Sequence, residues 1–136
     1  KTIMTHVGDV HYLTFPNNHF DAITIAFGIR NFHDLWTAIK EIERVLKPGG
    51  HLIILETCQP KHQWVRWLNN IYLALWVKTI SGLISGKKDA YGYLSESIKT
   101  FYTPDELKVI LSKSGFSSVN IQFFSFQSIQ LIHAIK

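Results

Sequence analysis

The pattern of apolar and polar positions changes period along the chain, from strand-like runs to helical spacing and back. Residues 2–7 favour a strand that ends at Gly8-Asp9, an exit into a loop. Phe15-Pro16-Asn17-Asn18-His19 is turn chemistry, and residues 20–27 form an apolar run short enough for a buried parallel strand, closed by Gly28. Asp34 is placed to cap a helix whose apolar positions Leu35, Ala38, Ile39, Ile42, Val45 and Leu46 follow the helical period, with Pro48-Gly49-Gly50 as its stop. A second buried strand is expected over 51–56. Strand, helix, glycine turn and strand make a right-handed βαβ crossover, so the class is α/β with a doubly wound sheet.

Beyond Pro60 the spacing predicts a long helix over 63–81, with Trp64, Trp67, Leu68, Ile71 and Leu75 on one stripe. Ser81-Gly82 and Ser85-Gly86-Lys87-Lys88-Asp89 read as a mobile link, and 93–100 as a short helix. Thr103, Pro104 and Glu106 form a capping box with proline at the first helical position, and Gly115 closes that helix. Residues 119–125 and 128–135 read as two strands about a tight turn at Phe126-Gln127, an antiparallel pair at a sheet edge.

Composition narrows the function classes. The 136 residues suit one domain, and an apolar share of 46% suits a buried core. A formal charge of +4 comes from scattered lysines and arginines, so no polybasic block marks a nucleic-acid partner. Cys58 is the only cysteine; it allows no internal disulfide and no structural zinc set, which points to a reducing compartment. His6, His11, His19, His33, His51, His62 and His133 lack metal-ligand spacing, and no metal is expected. The apolar stretch 71–77 is broken by Lys78 and falls short of the ~18 residues of a membrane span. With Lys1 first, and no signal or transit pattern after it, the chain reads as cut from something longer.

At Phe20-Asp21, Phe27-Gly28-Ile29-Arg30-Asn31, the run from Arg44 through Leu46-Lys47-Pro48-Gly49-Gly50, and Leu55-Glu56, the chain resembles Rossmann-like class I methyltransferases that use S-adenosylmethionine. Phe-Gly-Ile-Arg-Asn and the later Tyr91-Gly92-Tyr93-Leu94-Ser95-Glu96-Ser97-Ile98 are more specific. With Ser114-Gly115-Phe116, they resemble the ubiquinone/menaquinone biosynthesis C-methyltransferases. The resemblance implies C-methylation of a polyprenylated quinol, demethylmenaquinol or the ubiquinone precursor, with S-adenosyl-L-methionine as cofactor. It implies that residues 1–136 are the C-terminal portion of one methyltransferase domain, with substrate-lid helices over 63–100 inserted after the 51–56 strand. It also implies a lipid quinol as partner and a cytoplasmic place peripheral to the inner membrane, or the mitochondrial matrix in a eukaryote. A homodimer or a biosynthetic-complex partner is compatible with it.

The front departs from that family. No G-x-G-x-x-G occurs and only seven residues precede Gly8, so the family's first strands and Gly-rich loop are absent and half a cofactor site is expected. Strand 20–27 should then expose one ladder edge, and residues 1–13 should be displaced, disordered or paired with another chain. A rival class is a non-catalytic quinone-binding or partner subunit without its own cofactor loop. Methylation of another small acceptor also remains, because fold does not dictate substrate.

Within this resemblance Asp9 would accept from the adenine amino group with Val10 beside it; the plainer alternative is a turn aspartate capping backbone amides. Ala26 and Phe27 lie where parallel-sheet ligands bind, outside the carboxyl ends of strands. Arg30 would stabilise the substrate phenolate or position the water that takes up its proton, against a structural salt bridge to Asp34 or Glu56. Asn31 would fix that loop near substrate. Tyr91, Tyr93 and Ser97 would contact the quinol, and Glu96 would serve as a base or as a solvated cap. The aromatic helix carrying Trp64, Trp67, Tyr72 and Trp76 suits either a prenyl groove and bilayer contact, aided by Arg66 and Lys78, or packing on the sheet.

Overall fold

The computed structural model describes residues 3–58, 97, 100–125 and 127–136. Asp34 starts helix α1 (Leu35–Val45) by accepting from the Thr37 amide at 3.1 Å, and the predicted apolar stripe is its buried face. Thr103 and Glu106 cap each other's backbone amides to start α2 (Pro104–Lys113). The strands are β1 (Phe20–Ala26), β2 (Leu46–Thr57), β3 (Ser118–Phe124) and β4 (Ile129–Ile135). They form one sheet in the order β1-β2-β4-β3, with β1 parallel to β2 and the other two pairings antiparallel. Among the described residues this is the incomplete Rossmann-like sheet with an antiparallel C-terminal pair.

One sheet face carries the core. Leu52 and Ile54 of β2, with Ile132 and Ala134 of β4, pack against Ile39 and Ile42 of α1 and Leu107 and Leu111 of α2. Burying each such side chain contributes about 1.5–3 kcal/mol, so this shared face is what joins helices to sheet. Lys136 reinforces the join, its ammonium donating to the Glu43 and Leu46 carbonyls at 2.7 and 2.8 Å, at the C-terminal end of α1. The 13–17 segment is clamped to α1 as well. Arg44 donates to the Leu13 and Phe15 carbonyls and, through two nitrogens, to Glu41.

Four sequence expectations are corrected. Pro48-Gly49-Gly50 does not separate helix from strand, because β2 begins at Leu46, directly after α1. The glycines serve an irregularity inside the strand: pairing with β1 jumps from Phe20–Leu46 to Ala22–His51. Gly49 has φ +76°, and a Cβ on Gly50 would lie 2.7 Å from the Lys47 carbonyl oxygen. The expected strand at the front is also missing, since residues 3–7 carry no regular secondary structure and Ile3 and Val7 are fully exposed. A β-favouring run is not a strand without a ladder partner, and among the described residues none is offered. The displacement expected of residues 1–13 does not extend to all of them, because the chain from Asp9 is held: the buried His11 accepts from the Asp34 amide and the Leu13 amide donates to Glu41. Finally, β1 stops at Ala26, because Phe27 turns to φ +54°.

As expected, β1 lies at the sheet edge, with only β2 as a ladder partner among the described residues. The expected helix over 63–81 and the link after it lie outside the described residues. Of the short helix over 93–100, Ser97 and Thr100 are described, and both are helical. Among the described residues no helix is long and apolar enough to cross a membrane.

Candidate functional site

The carboxyl ends of β1 and β2 lie side by side, which is where parallel-strand folds bind ligands. At the end of β1 the backbone is pinned in an uncommon conformation: the Phe27 amide donates to the Leu55 carbonyl at 2.8 Å while its φ is +54°. A non-glycine residue held left-handed is often found where a loop is fixed for function. The chain then makes one 3-10 turn, Ile29–Asn31, whose Ile29 is buried in the core and whose Asn31 amide donates to the Gly28 carbonyl at 3.0 Å. Anchoring Ile29 sets where the next side chain emerges.

That side chain is Arg30, and its guanidinium reaches across to the end of β2. Nη1 donates to Glu56 Oε1, and lies 3.5 Å from Thr57 Oγ1. The same carboxylate oxygen accepts from the Thr57 amide at 2.8 Å and its hydroxyl at 3.1 Å. Side-chain exposure is 11% for Arg30 and 0% for Glu56. Of the two salt-bridge partners foreseen for Arg30, Glu56 is therefore the one the fold provides. The ion pair does not use the whole of either group. Arg30 Nε and Glu56 Oε2 are buried with no protein partner among the described residues.

Next to the pair, β4 places Gln130 directly opposite Glu56, on the buried face of the sheet. Neither atom of its amide has a hydrogen-bond partner among the described residues, nor has Gln127 Oε1 in the adjoining turn. Cys58 follows the same strand end. Its amide donates to the Ser128 carbonyl at 3.0 Å and its thiol to the Gln127 carbonyl at 3.2 Å. Burial, and after it the Glu56 charge, push the thiol up to about 11, so it is a packed neutral group rather than a nucleophile.

A second cluster stands on the loop before β1. Asp9 Oδ1 accepts from the His11 amide at 2.9 Å and lies 2.5 Å from His11 Nδ1. These bonds hold the Asp9 carboxyl below its usual value, the backbone one contributing most. His11 Nε2 in turn accepts from the Asp34 amide at 3.4 Å, which assigns the ring proton to Nδ1. The turn-aspartate alternative is thus realised, and it also fixes the direction of a carboxylate that stays 55% exposed. Val10 lines an apolar groove of about 280 Å³ with Leu13, Phe15, Phe20, Ile23 and Phe32.

The fold thus brings Ala26, Phe27 and Arg30 to one strand end and sets Asp9 and Val10 on the neighbouring loop. Ser97 is half-buried in a helical position, its carbonyl 3.4 Å from the Thr100 hydroxyl. Tyr91, Tyr93 and Glu96, like Trp64, Trp67 and Trp76, lie outside the described residues. Sequence reasoning missed His11, Glu56 and Gln130 as site members. An Asp-x-His pair, and polar residues at inward register positions of two apolar strands, were the available signals. Among the described residues, no group of three or more His, Cys, Asp or Glu side chains is positioned to hold a metal.

The family model described as the ubiE/COQ5 methyltransferase family matches residues 2–136. The chain belongs to this family. A demethylmenaquinone methyltransferase of Bacteroides fragilis is 41% identical over 128 residues, covering 94% of this chain and 52% of the relative. One of Thermotoga maritima is 44% identical, covering 88% and 53%. The ubiquinone/menaquinone biosynthesis C-methyltransferase UbiE of Shewanella pealeana is 43% identical, covering 84% and 48%. The chain spans about half the length of these curated relatives. Among solved structures, an S-adenosylmethionine-dependent methyltransferase of Thermotoga maritima, titled a possible histamine N-methyltransferase, superposes with a TM-score of 0.62 at 19% identity, over 95% of this chain and 62% of that one. The [4+2]-cyclase SpnF gives 0.64 at 18%, over 96% and 54%. At such identities the likeness establishes the fold alone.

Proposed function

We propose that the ubiE/COQ5 family chain described here forms the acceptor side of an S-adenosylmethionine-dependent C-methyltransferase whose substrate is a polyprenylated quinol, demethylmenaquinol or the ubiquinone precursor. The carrying observation is the Arg30–Glu56 pair, set at the carboxyl ends of two parallel strands. Peripheral contact with the membrane that holds such a lipid belongs to the same proposal.

The residues present fit one side of the cofactor. Asp9, ionised and aimed by His11, is an acceptor suited to an amino group, and the pinned Phe27 leaves the β1 end as a fixed floor. When bound, S-adenosylmethionine supplies an electrophilic methyl group. The work of this chain is on the acceptor. A ring hydroxyl that loses its proton becomes a phenolate, whose negative charge is shared with the ring carbon that attacks. A guanidinium charged at every working pH stabilises that charge, and Glu56 keeps it at the strand ends instead of in solvent. The proton of that hydroxyl, and afterwards the proton of the methylated ring carbon, would pass to water positioned by Arg30, so that the chain's own part is to hold the charge and guide the proton out.

The test is product analysis. The protein bearing this sequence is incubated anaerobically with methyl-deuterated S-adenosylmethionine and reduced demethylmenaquinone. The expected product carries the label on a ring carbon. Label on oxygen, or no transfer to the quinol, contradicts the proposal.

A further inference from the structure

We propose that Glu56 and Gln130, with Arg30 Nε, form a polar socket that selects the reduced form of the acceptor by taking one of its ring hydroxyls. The proposal rests on the methyl-transfer reading and adds the residues that discriminate quinol from quinone.

Gln130 and Glu56 are fully buried, and both sit on the core-facing side of an otherwise apolar sheet. Glu56 Oε2, Arg30 Nε and both atoms of the Gln130 amide have no protein partner among the described residues. A buried polar atom left without a partner loses its bond to water and gains none, so a group of them at one strand end marks a place where something other than the fold is served. They are not alike in character. Glu56 Oε2 and Gln130 Oε1 accept, whereas Arg30 Nε and Gln130 Nε2 donate.

This mixture decides the ligand class. A hydroxyl both donates and accepts: it gives its hydrogen to the Glu56 carboxylate and receives bonds from Arg30 and Gln130. A quinone carbonyl only accepts. It would satisfy the two donors and set its own lone pairs against those of Glu56 Oε2, leaving that oxygen unpartnered. The socket therefore favours the hydroxylated, reduced ring, the form nucleophilic enough to take a methyl group.

The experiment reads binding and stability, without turnover. Under anaerobic conditions, dissociation constants are measured for 1,4-naphthohydroquinone and 1,4-naphthoquinone with the wild-type protein, Gln130→Met and Glu56→Gln, the last keeping its shape while losing its charge. The wild type is expected to prefer the reduced ring by about tenfold or more, and each variant to bring that ratio close to one. In the ligand-free state Gln130→Met is expected to raise Tm by about 2–4 °C, because an unpartnered amide is replaced by an apolar chain of similar length. An unchanged ratio in both variants overturns the socket, and so does a lower Tm for Gln130→Met, which would mean that the amide serves the fold. Intact discrimination without methyl transfer by the wild type overturns the methyl-transfer reading instead, so the two failures are distinguishable.

Discussion

Removing the Arg30 side chain would strand a carboxylate that has no solvent exposure, so Arg30→Ala should destabilise by about 3–5 kcal/mol, seen as a lower urea midpoint. Arg30→Met with Glu56→Leu removes both charges and should recover most of that loss, which makes the double variant the fair one for asking what the pair does in catalysis. Cys58 should resist iodoacetamide at pH 8, because its thiol is pushed up to about 11 and is buried; rapid labelling of the folded protein would show that the thiol itself is exposed to solvent. Arg30 stood out in the sequence because an always-charged side chain follows a strand-ending glycine, and the salt bridge foreseen as its alternative duty is the one the fold shows. Glu56 was named there only as its possible salt-bridge partner. Gln130 was not legible as a site residue: that it faces Glu56 is fixed by the register of β4 on β2, a long-range relation that no local pattern records.

Elements with strong local chemistry were read correctly. The capping box at Thr103 and Glu106 is one; Thr103→Ala should cost about 1 kcal/mol, measured by chemical denaturation, as the Glu106 amide loses the hydroxyl that accepts from it. The strand expected over 51–56 was right in kind and wrong in extent. A glycine pair reads locally as a stop, but here it lets β2 continue past an irregular pairing. Gly50→Ala would press a Cβ against the Lys47 and Asp21 carbonyl oxygens and should cost about 1–3 kcal/mol, whereas an unaffected melting curve would show that the irregularity is plastic. The front strand failed for the opposite reason. Its residues favour extended structure, yet propensity alone does not replace the neighbouring ladder that a strand requires.

At the scale of the molecule, acid should be the chain's weakness. Partners hold the carboxyls of Asp9, Asp21, Asp34, Glu41 and Glu106 below their usual values: His11 for Asp9, Lys47 for Asp21, Thr37 for Asp34, Arg44 for Glu41 and Thr103 for Glu106. A carboxyl whose folded-state value is depressed contributes its stability above the unfolded value and loses it as pH falls through the folded one. Tm should therefore be nearly flat from neutral pH to about 5 and fall below about 4, the ordinary carboxylate range. Glu41 should contribute most, since it and Arg44 clamp the 13–17 segment onto α1 and only part of the pair faces solvent. The same sheet that needs these anchors at one end presents the Arg30–Glu56 pair at the carboxyl ends of β1 and β2, and the functional account rests on that pair. The most direct measurement is single-turnover transfer from S-adenosylmethionine to reduced demethylmenaquinone, comparing the wild-type protein with the Arg30→Met, Glu56→Leu variant at matched cofactor binding. The account predicts a rate about a hundredfold lower in the variant with its fold and cofactor affinity kept; an undiminished rate would contradict it.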